Sequence, residues 1–454
     1  MSIFESLDSN PNFSSKIDDA IAAREEAVRL GLIDRSWTYI FTPLALKEEA
    51  FQKLQDDLDI ISKLIFDLPN RLYNGDTFKF FRALGIESAL AELMSDFMPM
   101  GVQVPLRWDL MSQGNDCKVL ELNTGYALGG ANFSLLRDFY DQPALGMKEQ
   151  FSLADSMTAI IGLVKEQLNG LPRNASIALL EDDELYEKYE FFLKSFSRYL
   201  EKHTDYRVII GPASEVCFES EYPYINSIKI DAFLSMFNAS EMLEKWDKYR
   251  PFVDAVTLKR WKSIVPLGEF GFSCKNVLSL LSDPLNRRYF EETELDAISR
   301  RIPWTQRVTA LTSLNSSNWS KGYVLKPSDG YAGEGIVCSW ETSSPHLWEL
   351  ALKEAIASKR EYILQERVQS DALKIKTVSA DQKIKLGEAS PVFGLIMVQG
   401  QIVGGVVRAI LGETKPGVIN AQQGAAVGPL VFGKKRIRRS RTPWARPVVN
   451  RLAY

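Results

Sequence analysis

Histidine is scarce and cysteine is unpaired in this chain of 454 residues, which contains two histidines and four cysteines. His203 and His346 lie on charged or polar helical stretches, so neither a histidine-ligated zinc site nor a serine–histidine–aspartate triad is expected. The cysteines are scattered without a C-x-x-C pair, which is typical of a reducing cytoplasm, where we expect this protein. Any chemistry must therefore rest on carboxylates, lysines, arginines and backbone groups.

Strong net charge and long apolar runs are also lacking. The net charge of −4 gives no reason to expect nucleic-acid or membrane partners. No apolar run reaches transmembrane length, and the polar N-terminus does not resemble a signal peptide. Apolar residues at 45% and charged residues at 25% are typical of a globular protein, and the length suggests two or three domains.

Three oxygen-bearing side chains stand out on a predicted β-hairpin over residues 104–124, which turns at Ser112–Asp116. Side chains alternate along a strand, so Glu121 and Asn123 share a face, and Asp109 can join them across the ladder. Mg²⁺ prefers such oxygens when phosphates supply further ligands. The alternative is an ordinary solvent-exposed polar hairpin face.

A glycine-rich segment follows a second apolar strand that ends at Lys326. Ser328, Gly330, Gly333 and Gly335 make up this segment, and a strand is predicted after it at Ile336–Trp340. Glycines let backbone N–H groups approach phosphate oxygens, and the lysine supplies a charge. The segment is not a Walker A loop, because it has no G-K-[ST] and no helix follows. A plain glycine-rich turn is the alternative.

Two further cations are candidates for the same chemistry. Lys275 falls in the first turn of a helix predicted over 272–283, where a cation is disfavoured, so it is either solvated or held by an anion. Arg408 lies on the second strand of a hairpin predicted over 392–398 and 401–410. Its guanidinium suits a phosphate clamp, and a cross-strand ion pair is the alternative.

Together these segments resemble the motifs of the ATP-grasp family, R-x-D…E-x-N-T for a magnesium hairpin and K-P-x-x-G-x-x-G-x-G-V for a phosphate loop. In ordinary members the phosphate loop comes first, whereas here the hairpin precedes Lys326. The chain is therefore similar to the circularly permuted ATP-grasp group, which includes glutathionylspermidine synthases and peptide ligases. The resemblance covers roughly residues 100–432.

The resemblance implies an ADP-forming ligase that joins a small-molecule or peptide carboxylate to an amine through an acyl phosphate. Mg²⁺ would bind Asp109, Glu121 and Asn123, and the catalytic residues would be Arg408 and Lys326. The implied ATP contacts are Lys275, Lys326, Ser328, Gly330, Gly333 and Gly335, with Gln365, Glu366 and Val368 of an edge strand and hinge beside adenine. A phosphotransferase and a non-catalytic nucleotide-binding protein are the alternatives, and a homodimer stays open.

The expected fold is mixed α+β and α/β, a circularly permuted ATP-grasp core with added parts. We expect a mainly helical region at 1–100, the metal hairpin part of the core at 101–170, a Rossmann-like α/β substrate domain at 171–265, the nucleotide-binding part at 266–432 and a basic, disordered tail at 433–454. The permuted order requires the hairpins at 104–124 and 391–411 to share a sheet. The small-residue loop Gly125–Asn132 would then stand at the mouth of the active site.

Overall fold

The structure is a computed structural model that describes residues 2–10, 13, 16–97, 103–147, 150–219, 222–237, 239–257, 262–263, 268–310, 312, 322–330, 333–412 and 418–433. The basic tail from Lys434 onward, for which disorder was predicted, lies outside the described residues. Tyr331 and Ala332 of the glycine-rich segment lie outside them as well. Among the described residues, no helix combines the length and the apolar character that crossing a bilayer requires.

The helices surround several sheets. Among the described residues the α-helices are α1 (Ile17–Arg29), α2 (Glu48–Tyr73), α3 (Thr77–Ala83), α4 (Ser88–Asp96), α5 (Arg137–Tyr140), α6 (Ser156–Gln167), α7 (Asp183–His203), α8 (Ala239–Glu244), α9 (Trp246–Thr257), α10 (Asn276–Ser282), α11 (Glu292–Arg301) and α12 (Pro345–Ala357). Apolar residues of α2 such as Leu54, Leu58 and Ile61 recur three or four positions apart and are fully buried. This face packs onto the largest sheet, where Trp108 donates to the Ser62 hydroxyl of α2.

The strands are numbered in chain order. They are β1 (Phe4–Ser6), β2 (Tyr39–Ile40), β3 (Leu44–Leu46), β4 (Leu106–Gln113), β5 (Asp116–Thr124), β6 (Phe151–Ser152), β7 (Ser176–Glu181), β8 (Arg207–Pro212), β9 (Cys217–Glu219), β10 (Tyr222–Ile225), β11 (Ile228–Lys229), β12 (Ala232–Ser235), β13 (Lys262–Ser263), β14 (Thr305–Arg307), β15 (Tyr323–Pro327), β16 (Val337–Cys338), β17 (Tyr362–Glu366), β18 (Leu373–Val378), β19 (Ile384–Ala389), β20 (Val392–Val398), β21 (Gln401–Ala409) and β22 (Ala426–Gly433).

The largest sheet has 11 strands among the described residues, and its main path runs β19-β18-β2-β22-β21-β20-β4-β5. The hairpin β4–β5 lies beside the hairpin β20–β21, because β20 pairs antiparallel with β4 and brings Gly394 opposite Asp109. The prediction that these distant hairpins share a sheet is confirmed. The N-terminal region adds more than helices, since β1, β2 and β3 belong to the same sheet.

A separate sheet of four parallel strands, in the order β13-β12-β7-β8, lies within residues 171–265, where an α/β domain was expected. Helix α7 follows β7. The chain bends at Asp231 between β11 and β12. The Asp231 carboxylate accepts from the backbone N–H of Ser176 at 2.9 Å, which fixes this bend against the start of β7.

The strands on either side of the glycine-rich segment belong to a third sheet with the order β14-β17-β15-β16. Strand β17 was expected at an edge, and this expectation is wrong. Thr305–Arg307 pairs antiparallel along its outer side, so the backbone of β17 is covered by protein on both sides. The strand after the glycine-rich segment spans Val337–Cys338 and is shorter than the predicted Ile336–Trp340.

Candidate active site

The register of the β4–β5 hairpin brings the three oxygen-bearing side chains together. Asp109 lies opposite Glu121, and Arg107 lies opposite Asn123, with an irregularity in the ladder after Asp109. The Asn123 amide donates to Asp109 Oδ2 at 3.3 Å. The expected grouping on one hairpin face is therefore found.

Asp109 is enclosed by two arginines. Arg107 donates from Nε to Oδ1 at 2.8 Å and from Nη2 to Oδ2 at 3.1 Å. Arg408 Nη2 lies 2.6 Å from Oδ2, and the Asp109 side chain is 2% exposed. Arg408 therefore forms the cross-strand ion pair that was the alternative to a phosphate clamp. Both carboxylate oxygens of Asp109 already contact arginine side chains.

Gly394 makes this arrangement possible, because β20 lies between the strands that carry Arg408 and Asp109. A Cβ at position 394 would lie 2.9 Å from Arg107 Cδ and 3.1 Å from Asp109 Oδ1. Any side chain there would push into the cluster. Neither Arg107 nor Gly394 was singled out from the sequence, although Arg107 begins the R-x-D motif.

Lys275 reaches the hairpin from another part of the chain. Its Nζ lies 3.2 Å from Glu121 Oε2, donates to the carbonyl of Gly330, and is 8% exposed at the side chain. The solvated alternative for Lys275 is therefore wrong, because an anion holds this lysine. Burial acts to raise the pKa of the Glu121 carboxyl, but the charges of Lys275 and Lys326 outweigh it and hold that pKa well below its usual range.

Lys326 is buried at the end of β15 and joins two sheets. Its ammonium donates to the backbone carbonyl of Leu120 on β5 at 2.9 Å and to Gln365 Oε1 at 2.9 Å. Gln365 in turn donates to Thr305 Oγ1 at 3.1 Å. Burial lowers the pKa of Lys326 to about 8. Lys326 and the β4–β5 hairpin thus line one cleft, as the resemblance to the ATP-grasp family implied.

The described part of the glycine-rich segment packs closely on its surroundings. Gly333 has φ +80°, a left-handed conformation that favours glycine, and a Cβ there would lie 2.1 Å from Val418 Cγ1. Both backbone groups of Ser328 form hydrogen bonds. Its N–H donates to the backbone carbonyl of Glu361, and its carbonyl accepts from the backbone N–H of Lys275 at 2.8 Å. These contacts fix the segment above the lysines.

We call the space between these groups the polar cleft. Its charged lining includes Asp109, Glu121, Lys275, Lys326 and Arg408, and Gly330, Gly333, Gln365, Glu366 and Val368 line it too. Ser328 and Gly335 do not line it, and Asn123 lines the neighbouring cavity instead. Apolar surface comes from Val324, Ile336 and Trp340.

The neighbouring cavity has a volume of about 380 Å³ and shares Arg408 with the polar cleft. We call it the acidic cavity, because Glu181, Glu241 and Glu269 are among its lining residues. The loop Gly125–Gly130 and Asn132 also line it, in line with the expected position of this loop beside the site. None of these three glutamates was singled out from the sequence. Glu181 ends a parallel strand, which is a signal for a binding crevice, but Glu269 follows no pattern.

The donor set fits Mg²⁺ in part. Among the described residues no three His, Cys, Asp or Glu side chains are grouped so as to hold a metal. Glu121 and the amide oxygen of Asn123 are hard ligands of the right kind when phosphates add more oxygens. Asp109 could join them only after an arginine releases one of its oxygens.

No known protein-family model and no curated protein sequence matches this chain. Among solved structures, a glutathione synthetase-like effector from Globodera pallida in its apo form aligns with a TM-score of 0.60 and 13% identity, over 93% of this chain and 96% of that one. This likeness shows a shared fold. D-cycloserine synthetase (TM-score 0.33, 12% identity, 55% of this chain and 74% of that one) and D-alanyl-alanine synthetase A from Vibrio cholerae (0.27, 13%, 48% and 68%) align too weakly to support an argument.

Proposed function

We propose that this protein is an ATP-dependent carboxylate–amine ligase that forms an amide bond and releases ADP and phosphate. One observation carries the proposal. Lys326, at the start of the segment with a phosphate-loop pattern, and Lys275, just before α10, contact Leu120 and Glu121 of the hairpin with a magnesium pattern. The fold shared with a glutathione synthetase-like effector agrees with an ATP-grasp architecture.

The polar cleft would hold the nucleotide. Lys275, Lys326 and the backbone of the glycine-rich segment would contact the phosphates, since ammonium groups and N–H groups stabilise phosphate oxygens. The apolar surfaces of Val324, Trp340 and Val368 would receive the adenine beside Gln365 and Glu366. The free volume of about 120 Å³ is below the roughly 300–1,000 Å³ of typical ligand pockets, so the cleft must widen to admit ATP.

Magnesium would be held by Glu121 and Asn123, with Asp109 as a further ligand once Arg408 turns to the phosphate. A bound Mg²⁺ would neutralise charge on the β- and γ-phosphates. Arg408 borders both the polar cleft and the acidic cavity, so its guanidinium can contact the phosphoryl group as it moves from ATP to substrate.

The reaction has two steps. In the first step a substrate carboxylate oxygen attacks the γ-phosphorus and the bond to the β-phosphate oxygen breaks. The products of this step are ADP and an acyl phosphate. The nitrogen of an uncharged amine then attacks the acyl carbon, phosphate leaves, and the amine loses a proton. Neither step needs a covalent enzyme nucleophile, so Lys326 and Arg408 act by positioning and charge stabilisation.

The domain arrangement belongs to the same proposal. With the metal hairpin ahead of the phosphate loop, the core would be a circular permutant of the usual ATP-grasp order. The sheet of four parallel strands would be the Rossmann-like part that holds a substrate, because ligands bind outside the carboxyl ends of parallel strands.

Trapping the acyl phosphate tests the ligase. The full chain is incubated with ATP, Mg²⁺, a panel of amino acids and small peptides, and hydroxylamine, and both ADP and hydroxamate are measured. A ligase yields both with at least one carboxylate. ADP formation that requires an alcohol and yields no hydroxamate indicates a phosphotransferase, and nucleotide binding without ADP release indicates a non-catalytic protein. Lys326→Met should abolish the signal, whereas Lys353→Met, at an exposed position on α12, should not.

A further inference from the structure

The acidic cavity is built from three parts of the fold. Glu181 and Ser235 come from the carboxyl ends of parallel strands β7 and β12, and Gly125 follows strand β5. Its volume of about 380 Å³ falls in the roughly 300–1,000 Å³ range of small-molecule sites. Much of the wall is aromatic, including Tyr126, Phe237 and Phe270.

Glu269 is the least satisfied charged group of this wall. The residue is 6% exposed, and its Oε2 has no hydrogen-bond partner among the described residues. Its carboxylate lies over Gly125, where a Cβ would come within 2.3 Å of Oε1. Burial alone raises the pKa of this carboxyl well above its usual value. An isolated buried carboxylate is costly unless a partner supplies N–H donors or positive charge.

The protein itself supplies little positive charge to this cavity. Its described lining cations are Arg107 and Arg408, and both bind Asp109. Glu181 adds a second carboxyl that is 5% exposed, and burial raises its pKa to about 7. Ser235 Oγ, also buried, has no hydrogen-bond partner among the described residues. The acidic cavity therefore offers acceptors for a cation within an aromatic wall.

We propose that the acidic cavity binds a substrate that carries a protonated amine on an apolar or aromatic skeleton, with Glu269 accepting N–H bonds from the ammonium group. The carboxylate supplies the counter-charge, and the aromatic rings bury the skeleton and attract a cation. The identification of this molecule as the amine substrate rests on the ligase proposal. Arg408 borders both spaces, so an amine held here lies next to the polar cleft.

Binding is tested without nucleotide, by calorimetric titration of the full chain with three compounds of similar size. Phenethylamine is cationic at about pH 7.5, 2-phenylethanol is neutral and 3-phenylpropionate is anionic. We expect phenethylamine to bind at least roughly tenfold more tightly than the other two. Equal binding of all three, or preference for the anion, overturns the proposal.

Two glutamate-to-glutamine variants test whether Glu269 contacts the ammonium group. Glu269→Gln keeps the side-chain volume and should weaken phenethylamine binding at least roughly tenfold. Glu354→Gln removes an exposed carboxylate on α12 and should leave binding unchanged. Wild-type affinity in Glu269→Gln overturns the assignment, and the melting temperature of both variants verifies that they are folded.

This test is independent of the ligase test. Hydroxamate formation by the wild-type protein without phenethylamine binding retains the ligase and overturns the cavity assignment. Phenethylamine binding that depends on Glu269, without ADP or hydroxamate under any condition, retains the cation site and overturns the ligase.

Discussion

The Lys275 ammonium lies 3.2 Å from the Glu121 carboxylate, so Lys275, the residue before α10, contacts strand β5 directly. Lys326, whose ammonium donates to the Leu120 carbonyl, joins the third sheet to the same strand of the largest sheet. Phosphates that enter the polar cleft would compete with Glu121 for both lysines. Metal binding by Glu121 would release Lys275 toward those phosphates, which couples the two ligands.

Glu121→Gln should abolish turnover while the fold survives. The amide keeps the volume but removes the charge that pairs with Lys275 and that would bind Mg²⁺. We expect ADP release to fall at least roughly a hundredfold, which corresponds to about 2.7 kcal/mol of transition-state stabilisation. Circular dichroism should be unchanged. Asn123→Ala should behave similarly, and wild-type turnover in either variant removes these residues from the metal site.

Lys326→Ala should weaken ATP binding and lower kcat by at least roughly tenfold, about 1.4 kcal/mol of lost phosphate stabilisation. The loss also leaves the Leu120 carbonyl and Gln365 without a donor, so the melting temperature should fall. Steady-state ADP release measured well below that melting temperature separates the two effects. Unchanged kinetics would mean that the glycine-rich segment is only a turn.

The pKa of Lys326, about 8, predicts a pH dependence of nucleotide binding. As the pH rises through this value the buried ammonium loses its proton, and with it the attraction for phosphate. ATP affinity should therefore decline above about pH 8, and the decline should disappear in Lys326→Met. The free energy of unfolding depends on pH in the opposite direction. Because the pKa of Lys326 is lower in the folded state than in the unfolded state, unfolding binds protons between about pH 8 and pH 10.5, and the free energy of unfolding rises over this range.

Gly394→Ala should disturb the cluster of Asp109, Arg107 and Arg408 without touching the nucleotide. The added methyl would meet Val406 Cγ1 at 2.8 Å and Arg107 Cδ at 2.9 Å. We expect a lower melting temperature and slower ADP release. Gly162→Ala is the matched control, since its Cβ meets nothing within 4 Å in α6, and it should stabilise the protein by about 0.5–1 kcal/mol. Equal effects of the two substitutions would argue against tight packing at Gly394.

Local patterns explain which parts of the fold could be predicted. The hairpins β4–β5 and β20–β21 are specified by apolar runs that flank turn residues a few positions apart. Strands β2 and β14 contain two and three residues, too few for a periodicity, so their places beside β18 and β17 could not be predicted. The edge position expected for β17 was implied by the resemblance to the ATP-grasp family, and no sequence pattern at β14 contradicted it.

Local patterns also predict some residues of the candidate site, whereas others depend on tertiary packing. Glu121 and Asn123 follow from strand alternation, whereas the partner of Lys275 depends on how two distant segments pack. A lysine at a helix start was compatible with solvent or an anion, and only tertiary structure selects Glu121. Glu269 could not be predicted at all, because its position over Gly125 arises from a contact between segments that share no sequence pattern.

Glu269→Gln should stabilise the protein at neutral pH even as it weakens amine binding. The folded-state pKa of this carboxyl is raised by burial, so its stabilising contribution is full below the unfolded-state pKa and is lost as the pH rises toward the folded-state value. The melting temperature of the variant should therefore exceed that of the wild type at about pH 7.5, and the two should converge toward about pH 3, where the carboxyl is protonated in both states. Saturating phenethylamine should reduce the difference between the two melting temperatures at about pH 7.5, because it binds and stabilises the wild type more than the variant. A variant that melts lower at both pH values would mean that Glu269 serves the fold and that its free oxygen has a partner outside the described residues.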